Sequence, residues 1–512
     1  MIVRYITGQD RYQINMMPKS LDDYVEEDNP CRVVDAFVNT LDLKSMGFKY
    51  AQPKDSGRPP FNPADMLKLY IYGYQNKIRS SRRLQKETIR NVEVMWLLNG
   101  LTPDDKTISN FRTDNNKVLK EVFRKFNQLC IELELFGKKT VSIDGSKFKA
   151  NNSRSNHFNE KSATKQLNRI EKHITEYLNE LENNDKKEEN EPRFNEDVVK
   201  EALEILKKQK VKAEDILNTI KENDGKGICT VDEDSALMRL SNGRGYEVCH
   251  NVQTAVDEEH GLVVEFKVSD KTNDMSELSD MVGRTQEMLN VREIDVLADS
   301  GYCSGNEIRK SAELGASCYI PKQGASQQPK DEKYHRKNFR YDEEKDIYIC
   351  PAGKELPLVR IRKEERRKGS KIYRKKAVCK ECLERENCTK YKYREIERSP
   401  YEEDIKLADQ KVKENPALYR RRQELSEHPF GLVKRVWGYD QFLCRGKEKV
   451  IGELSLTFLA FNMHRAVNVL GIEKVLEFIR ERSVSLPKTR DYLLNWVFTI
   501  RRIVKTPFVE VG

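Results

Sequence analysis

A chain of 512 residues is long enough to fold into two to four domains with well-buried cores. Charged residues make up 34% of it and apolar residues 38%, a balance typical of a strongly hydrated globular protein. The longest apolar run, residues 454–461, is too short to cross a bilayer, and no signal-peptide pattern opens the chain, so we expect a cytoplasmic protein without membrane association. Lys and Arg outnumber Asp and Glu by 92 to 83, which favours a nucleic-acid partner without requiring one.

Residues 1–136 predict a domain of short helices with one basic face. A helix is expected over residues 33–43, and another begins at Asn62 and Pro63, which suit the N-cap and the first helical position. Serines open a basic helix beyond residue 79, and a turn at residues 102–105 follows a short apolar helix. This pattern is typical of a helix-turn-helix-like DNA-binding module, and a helical bundle with a solvated basic side is the alternative. The basic side chains expected to contact DNA are Arg79, Arg82, Arg83, Lys86 and Arg112.

Two stretches of the chain each lead a predicted strand into a carboxylate. The β-branched residues 140–143 run into Asp144 and Gly145, and we expect the glycine to let the backbone turn away. The apolar residues 294–298 run in the same way into Asp299, with Gly301 shortly after it. Either stretch alone is more simply a turn. The pair, in a basic protein, instead points to divalent metal ions that act on a phosphodiester.

A helical insertion separates the first acid from the next predicted strand. Apolar residues recur at alternating steps of four and three from Ala163 to Leu181, which is the spacing of a heptad seam. The charged residues 183–192 interrupt this seam, and a second one begins at Val199. We therefore predict an antiparallel helical hairpin at residues 159–225.

The elements around the insertion alternate between strands and helices. Residues 245–257 and 262–268 predict a β-hairpin, residues 276–289 a helix, and the Asp299 strand follows. A helix near residues 306–314 then leads to a short strand at residues 318–320. This order predicts an α/β domain with a mixed sheet covered by helices, and it is the order of the RNase H-like nuclease fold. The first parts of this core are residues 137–158 and 226–325.

The eleven cysteines divide into scattered and clustered ones. Four are clustered in residues 326–400 and could close a tetrahedral zinc site that staples a small β-rich insertion: Cys350, Cys379, Cys382 and Cys388. A redox pair at Cys379 and Cys382 is the alternative, although no thioredoxin-like strand and helix surround it. Basic residues between 360 and 376 make this insertion a second candidate for phosphate contact. The seven scattered cysteines are expected to be small buried side chains in a reducing compartment: Cys31, Cys130, Cys229, Cys249, Cys303, Cys318 and Cys444.

The stretch from Tyr419 to Lys434 supplies a third candidate acid. Glu427 and Lys434 are seven residues apart, so a helix through both would place them on one face, with a local kink at Pro429. Glu427 would join the two aspartates in holding two metal ions, while Lys434 and the arginines ending at Arg422 would grip the flanking phosphates. A solvated, charged helix end is the alternative.

In order and combination these motifs resemble the bacterial insertion-sequence transposases of the DDE class, in the branch with an N-terminal helical domain and a cysteine-bearing insertion. The resemblance spans nearly the whole chain. It is carried by residues 57–60 (Gly-Arg-Pro-Pro), 103–112, 143–145 (Ile-Asp-Gly), 250–254 (His-Asn-Val-Gln-Thr), 298–302 (Ala-Asp-Ser-Gly-Tyr), 350–353 (Cys-Pro-Ala-Gly), and 427–431 (Glu-His-Pro-Phe-Gly) with Lys434. It implies that Asp144, Asp299 and Glu427 are the catalytic acids.

Around the third acid the sequence departs from the pattern of similar transposases, which have a Tyr, Arg, Glu, Lys signature there. The spacing from Glu427 to the lysine is kept, but Gln423 stands where the arginine is expected, and Arg422 is one residue away. The departure therefore concerns Tyr419, Arg422 and the third acid, and not the first two acids. Glu453 is the alternative acid, although we expect it to be a helix N-terminal charge beside the dipole.

The resemblance implies DNA strand cleavage and strand transfer. Asp144 would bridge two Mg²⁺ or Mn²⁺ ions, with Asp299 and Glu427 holding one each, to cut the element ends and join the 3′-hydroxyls to target DNA. The partners implied are double-stranded DNA, as terminal inverted repeats and target, and a second copy of the chain on that DNA. Tyr302 is a further expected DNA contact, and residues 401–512 would complete the core with closing helices. A catalytically silent, transposase-derived DNA-binding protein and a general RNase H-like nuclease are the alternatives.

Overall fold

The computed structural model describes residues 19–53, 56, 59–185, 196–240, 245–322, 331–363 and 369–484. These residues belong to two units, the first made of residues 1–135 and 451–512, and the second of residues 136–450. Gly57 and Arg58, which carry part of the family resemblance, lie outside the described residues, as do residues 186–192 of the charged interruption in the helical insertion.

The first unit is helical, as the sequence predicts. Up to residue 135 its α-helices are α1 (Pro30–Asn39), α2 (Pro63–Gln75), α3 (Ser81–Arg90), α4 (Val92–Leu97), α5 (Asp105–Asn115) and α6 (Leu119–Glu132). The predicted start of α2 is confirmed, because the Asn62 side chain accepts a hydrogen bond from the Ala64 N–H and Pro63 follows it in the first turn. In the core of this unit the rings of Phe37 and Phe126 pack edge to face at 5.2 Å between centroids.

The second unit begins with the elements that contain a six-stranded sheet and a separate two-stranded sheet, the latter made of the second and third strands in chain order. They are β1 (Thr140–Lys149), β2 (His157–Phe158), α7 (Glu160–Asp185), α8 (Glu196–Glu222), β3 (Ile228–Cys229), β4 (Ala236–Arg239), β5 (Tyr246–Asp257), β6 (Val263–Ser269), α9 (Leu278–Leu289), β7 (Ile294–Leu297), α10 (Gly305–Glu313) and β8 (Ala316–Tyr319). The strands of the sheet are in the order β4-β5-β1-β7-β8, and β6 also pairs with β5. β1 runs antiparallel to β5 and parallel to β7, and β7 runs parallel to β8. The predicted mixed α/β class and the β5–β6 hairpin are confirmed.

One feature of β1 differs from the prediction. The strand does not end at Asp144 but continues to Lys149, and Gly145 lies opposite Gln253 within the antiparallel ladder instead of turning the backbone away. The partner strand β5 is long enough to pair with β1 on both sides of the glycine, so the ladder hydrogen bonds hold the chain extended.

The helical insertion consists of α7 and α8, which run antiparallel. The Lys210 ammonium forms an ion pair with Glu171 at 2.9 Å near the middle of the two helices, and Ala163 near the start of α7 packs with Leu217 and Ile220 near the end of α8. The two-helix prediction is confirmed, and the predicted seam residues are the ones that meet between the helices.

A five-stranded antiparallel sheet follows β8 in the chain. Its elements are β9 (Arg340–Asp342), β10 (Ile347–Ile349), β11 (Glu355–Ile361), β12 (Lys371–Tyr373), α11 (Lys376–Lys380), α12 (Arg385–Cys388) and β13 (Ile396–Arg398). The strand order is β13-β12-β11-β10-β9, so each strand lies beside its neighbour in sequence. Its small core consists of Phe339, Tyr348, Leu356, Tyr373 and Ile396. We call this region the cysteine-bearing sheet.

The last helices are divided between the two units. They are α13 (Glu402–Glu414), α14 (Pro416–Phe430), a π-helical turn at Gly431–Val436, α15 (Lys447–Leu470) and α16 (Ile472–Val484). From residue 451 the chain belongs to the first unit, where the Asn462 amide donates to Asn127 and Arg482 forms an ion pair with Glu132. The region predicted as one domain at residues 401–512 is therefore split. No described helix is long and apolar enough to cross a membrane.

Candidate active site

The sheet brings the first two predicted acids together. β1 and β7 are parallel neighbours with Ser142 opposite Leu297, so Asp144 and Asp299 each stand two residues beyond the same paired position. Asp299 follows the end of β7, and its carboxylate accepts a hydrogen bond from the Gly301 N–H at 2.8 Å. Adjacent strands lie about 4.8 Å apart, so two acids at matching positions share one edge of the sheet.

At this edge the neighbouring positive charge and hydrogen-bond donors do not fully offset the burial of Asp144 and its repulsion by Asp299. Burial raises the pKa of Asp144 to about 6, and the negative charge of Asp299 acts in the same direction. The guanidinium of Arg422, the Gly145 N–H at 2.9 Å and the Ser426 hydroxyl oppose this increase without overcoming it. Two hard carboxylate oxygens that repel one another are a donor set that suits Mg²⁺ or Mn²⁺.

The third predicted acid is not part of this group. Glu427 is exposed on α14, where it accepts a hydrogen bond from the Gln423 amide at 2.9 Å. The neighbouring Ser426 is buried and faces Asp144 instead, because one residue turns the side-chain direction by about 100° around a helix. Within the described ranges, no three His, Cys, Asp or Glu side chains are arranged to hold a metal ion.

The side chain beside the two acids is Arg422, one residue before the expected position, which Gln423 occupies. Its charge lowers the pKa of Asp144, and its guanidinium carbon lies 5.8 Å from the centre of the Tyr419 ring. The Tyr419 hydroxyl donates to the Ala298 carbonyl at 3.3 Å, next to Asp299. The structure therefore brings Tyr419 and Arg422 to the two aspartates, while Gln423 points to solvent with Glu427.

Lys434 lies elsewhere than the straight-helix prediction placed it. The π-helical turn after α14 breaks the seven-residue spacing, so Glu427 is exposed while the Lys434 ammonium donates to the Ser146 hydroxyl and the Lys147 carbonyl, both at 2.6 Å. The ammonium also stands 3.9 Å from the centre of the Phe148 ring. Burial lowers the pKa of Lys434 to about 8. The side chain thus braces β1 just beyond Asp144 instead of extending to a phosphate.

Tyr302 is not placed to contact DNA. The side chain is fully buried, and its hydroxyl donates a hydrogen bond to the Gln253 amide oxygen. In the sequence Gln253 stands out only as part of the motif at residues 250–254, and Asp274 was not predicted as a functional residue. The Asp274 carboxylate accepts hydrogen bonds from Gln253 at 2.6 Å and from Asn251 at 3.0 Å. The available signal was the alternation of polar residues in an otherwise apolar strand, which is unusual for a strand buried in the centre of a sheet.

The predicted DNA-contacting residues of the first unit differ in exposure. Arg82, Arg83 and Lys86 are exposed on α3, and Arg82 keeps 86% of its side-chain surface accessible. Arg79 instead forms a 2.9 Å ion pair with Glu453, which is only 1% exposed. Arg112 is half-buried, with its guanidinium 5.8 Å from the centre of the Tyr70 ring. Arg79 and Arg112 are therefore engaged within the unit.

Glu453 fits neither role considered for it. The carboxylate is engaged in an ion pair with Arg79 within the first unit, so the structure gives no support to its role as the alternative acid. It also lies in the second turn of α15, beyond the first turn where the helix dipole acts. A buried carboxylate of this kind is retained as half of an ion pair.

The four clustered cysteines line one small cavity in the cysteine-bearing sheet. The cavity has a volume of about 30 Å³, enough for one small ion or water molecule. The Cys350 sulfur accepts a hydrogen bond from the Lys354 N–H at 3.3 Å. Burial raises the pKa of Cys388 to about 11, and the other three thiols act in the same direction. Within the described residues, no three of these thiols are arranged to hold a metal ion.

The scattered cysteines are mostly buried, as predicted. Five of the seven are buried, while Cys303 and Cys444 are half-buried.

Comparison with known proteins gives two family matches. Residues 19–114 match the family described as Transposase domain (DUF772), and residues 349–467 match Transposase DDE domain. The second match includes Glu427 and Lys434, whereas Asp144 and Asp299 precede it. A solved structure, the piggyBac transposase synaptic complex with hairpin DNA, aligns with 95% of this chain and 87% of that chain at 9% identity. Its TM-score of 0.32 is too low to establish a common fold. No curated protein sequence matches the chain significantly.

Proposed function

We propose that this chain, which belongs to the DDE transposases, cuts the ends of an insertion sequence and joins the freed 3′-hydroxyls to target DNA. The observation that carries the proposal is the pairing of Asp144 and Asp299 at one edge of the central sheet, where their charges oppose one another. Such a pair is costly in the free protein and is relieved by a divalent cation. As part of this proposal, the reaction takes place in the cytoplasm of a bacterial cell, at the nucleoid.

The topology of the central sheet supports an RNase H-like core. Three successive antiparallel strands, β1, β5 and β6, lie beside one another, and β7 and β8 extend the sheet on the other side of β1 in parallel. The first acid is on the central strand and the second follows its parallel neighbour. The helical hairpin and the cysteine-bearing sheet are then insertions between elements of one core.

The side chains divide the proposed chemistry among themselves. Two bound Mg²⁺ ions would activate the attacking water or 3′-hydroxyl and stabilise the leaving oxygen of the phosphodiester. Asp144 must be ionised to ligate them, and its pKa of about 6 allows this at neutral pH. Arg422 beside Asp144 supplies a positive charge for a phosphate oxygen. Lys434 holds β1 through Ser146 and Lys147, so it orients the acid from behind.

Glu427 remains our candidate for the third acid. It follows Ser426, which faces Asp144, so a rotation of α14 by one residue position exchanges the two side chains. The π-helical turn directly after α14 supplies the extra residue that such a rotation needs, and π-turns of this kind occur often at functional sites. We propose that DNA and metal binding favour the rotated state.

Two further parts of the proposal concern binding. The exposed basic face of α3, with Arg82, Arg83 and Lys86, is the proposed contact for DNA phosphates. The four thiols around the small cavity are proposed to hold a structural Zn²⁺, for which thiolates are the preferred ligands. The resemblance to transposases implies that two copies act on the two ends of one element, so we propose that the chain acts as a homodimer on DNA.

The test uses the DNA that flanks the reading frame as substrate, with purified protein and Mg²⁺, and compares wild type with Asp144→Ala. We expect metal-dependent cuts at matched inverted ends by the wild type alone. Binding to those ends without any cutting would instead favour the silent DNA-binding protein, which the exposed position of Glu427 makes the leading alternative. Cutting that is the same on random DNA would favour a general nuclease, and cutting by Asp144→Ala would refute the proposed site.

A further inference from the structure

The two acid-bearing segments are joined by a chain of buried side chains. Tyr302 follows Asp299 by three residues in the same 3₁₀ turn, and its hydroxyl donates to the Gln253 amide oxygen. Gln253 is the register partner of Gly145, the residue directly after Asp144. A single side-chain hydrogen bond therefore connects the turn that holds one acid to the position beside the other.

A carboxylate from a third segment completes this chain. Asp274, in the loop between β6 and α9, accepts hydrogen bonds from Gln253 and from Asn251 on the same oxygen. A methyl group built on Gly145 would lie 2.6 Å from that oxygen and 2.5 Å from the Gln253 amide nitrogen, so these atoms press directly against the backbone of β1. Glycine at 145 allows this close approach.

We propose that Tyr302, Gln253 and Asp274 form a clamp that sets the separation of the Asp144 and Asp299 carboxylates and thereby the affinity of the site for divalent cations. The three residues are positioning residues, because their contacts are to one another and to the backbone beside the acids. The clamp rests on the proposed function, since it requires that the two acids bind metal.

The hydrogen bonds of the clamp run in one direction. The Gln253 oxygen accepts from the phenol and its nitrogen donates to the Asp274 carboxylate, which can only accept, so a flipped amide would set its oxygen against the carboxylate and lose that hydrogen bond. Burial, together with the charges of Asp274, Asp144 and Asp299, raises the pKa of Tyr302 well above its ordinary value, which keeps the hydroxyl protonated as a donor. The amide orientation is therefore fixed, and with it the spacing of the strands it joins.

The experiment measures Mn²⁺ binding to the DNA-free, full-length protein by isothermal titration calorimetry, for wild type and Tyr302→Phe. Phenylalanine keeps the ring and removes only the hydroxyl. Loss of a residue that orients metal ligands typically weakens metal affinity by about 10- to 100-fold, and we expect a change at the lower end of that range, about tenfold. Gln253→Met should have a similar effect, and the double variant should be little worse than either, because both break the same connection.

The matched control is Tyr373→Phe in the cysteine-bearing sheet. That tyrosine is equally buried and its hydroxyl donates to Asp346 at 2.6 Å, so the variant loses a comparable hydrogen bond. It should leave Mn²⁺ affinity at the acids unchanged. Equal Mn²⁺ affinity of wild type and Tyr302→Phe overturns the clamp and leaves the proposed function standing. The metal site itself fails if Asp144→Ala binds Mn²⁺ as tightly as wild type.

Discussion

The central sheet and the cysteine-bearing sheet use carboxylates in opposite ways. In the central sheet Asp144 sits beside Asp299, and burial and repulsion raise its pKa to about 6. In the cysteine-bearing sheet Asp346 accepts hydrogen bonds from Tyr341 and Tyr373, both at 2.6 Å, and an ion pair from Lys371, and these contacts lower its pKa to about 2.

The difference follows from the size of the two cores. The central strands carry fully buried residues such as Val141, Ile143, Val252 and Val296, so the sheet can hold an unfavourable acid pair for chemistry. The described part of the smaller sheet has only a small cluster of buried core residues, so its polar groups and thiols must contribute to its stability. The large core of the central sheet therefore tolerates an unfavourable pair of acids, whereas the small core of the cysteine-bearing sheet is accompanied by a carboxylate whose hydrogen bonds are satisfied.

The largest expected effect is on catalysis by the central sheet. Asp299→Asn keeps the shape of the side chain and its bond from Gly301 but removes one of the two charges that attract the metal ions. We expect DNA cleavage in Mg²⁺ to fall by roughly 100- to 1000-fold, the loss typical of removing one stabilising group from an active site. Cleavage rates on the flanking DNA check this, with unchanged circular dichroism as the control. Cleavage within a fewfold of wild type would contradict it.

The next effect concerns the thiols of the smaller sheet. Cys379→Ser should remove bound zinc and expose residues 331–400 to proteolysis, because a metal ion that binds only the folded state contributes directly to folding. Zinc content by mass spectrometry and limited proteolysis measure the two consequences. Cys318→Ser is the control, since Cys318 is buried in β8 away from the cavity lining. Equal zinc content in wild type and Cys379→Ser would contradict the prediction.

A smaller effect is expected at Asp144 in the absence of metal, and there the substitution should stabilise the protein. A carboxyl whose folded pKa is raised from 3.8 to about 6 contributes stability below pH 3.8 that is lost as the pH rises through 6. Asp144→Asn should therefore unfold at the same temperature as wild type near pH 4 but be more stable at pH 8, by up to about 3 kcal/mol. Calorimetry in EDTA at both pH values tests this. Greater stability of the wild type at pH 8 would contradict it.

The smallest effect is expected at Asp346, where the substitution should destabilise the protein at neutral pH. Its lowered pKa stabilises the fold above pH 3.8, and this stability is lost as the pH falls through 2. Asp346→Ala should destabilise the cysteine-bearing sheet at pH 7 by about 1–2 kcal/mol, since two tyrosine hydroxyls lose their acceptor. Hydrogen exchange of β12 reports this, with Asp342→Ala on the same hairpin as control. Unchanged exchange would show that the two sheets do not differ in this way.

Local patterns in the sequence predicted many elements correctly. Asn62 and Pro63 predicted the start of α2, and the heptad spacing predicted α7 and α8, because capping and periodicity depend on residues a few positions apart. The prediction for β1 was wrong at Gly145, since a glycine after an acid is typical of a turn and only the length of β5 keeps the strand extended.

By itself the sequence determined the succession of helices and strands, the two aspartates that follow β-branched or apolar runs, and the grouping of four cysteines. The tertiary structure decided which side chains meet. Gly145 lies against Gln253 through strand register, and Ser426 instead of Glu427 faces Asp144 through the rotation of one helix. Contacts of this kind join residues more than 100 positions apart, and one residue of rotation changes them, so no local pattern specifies them.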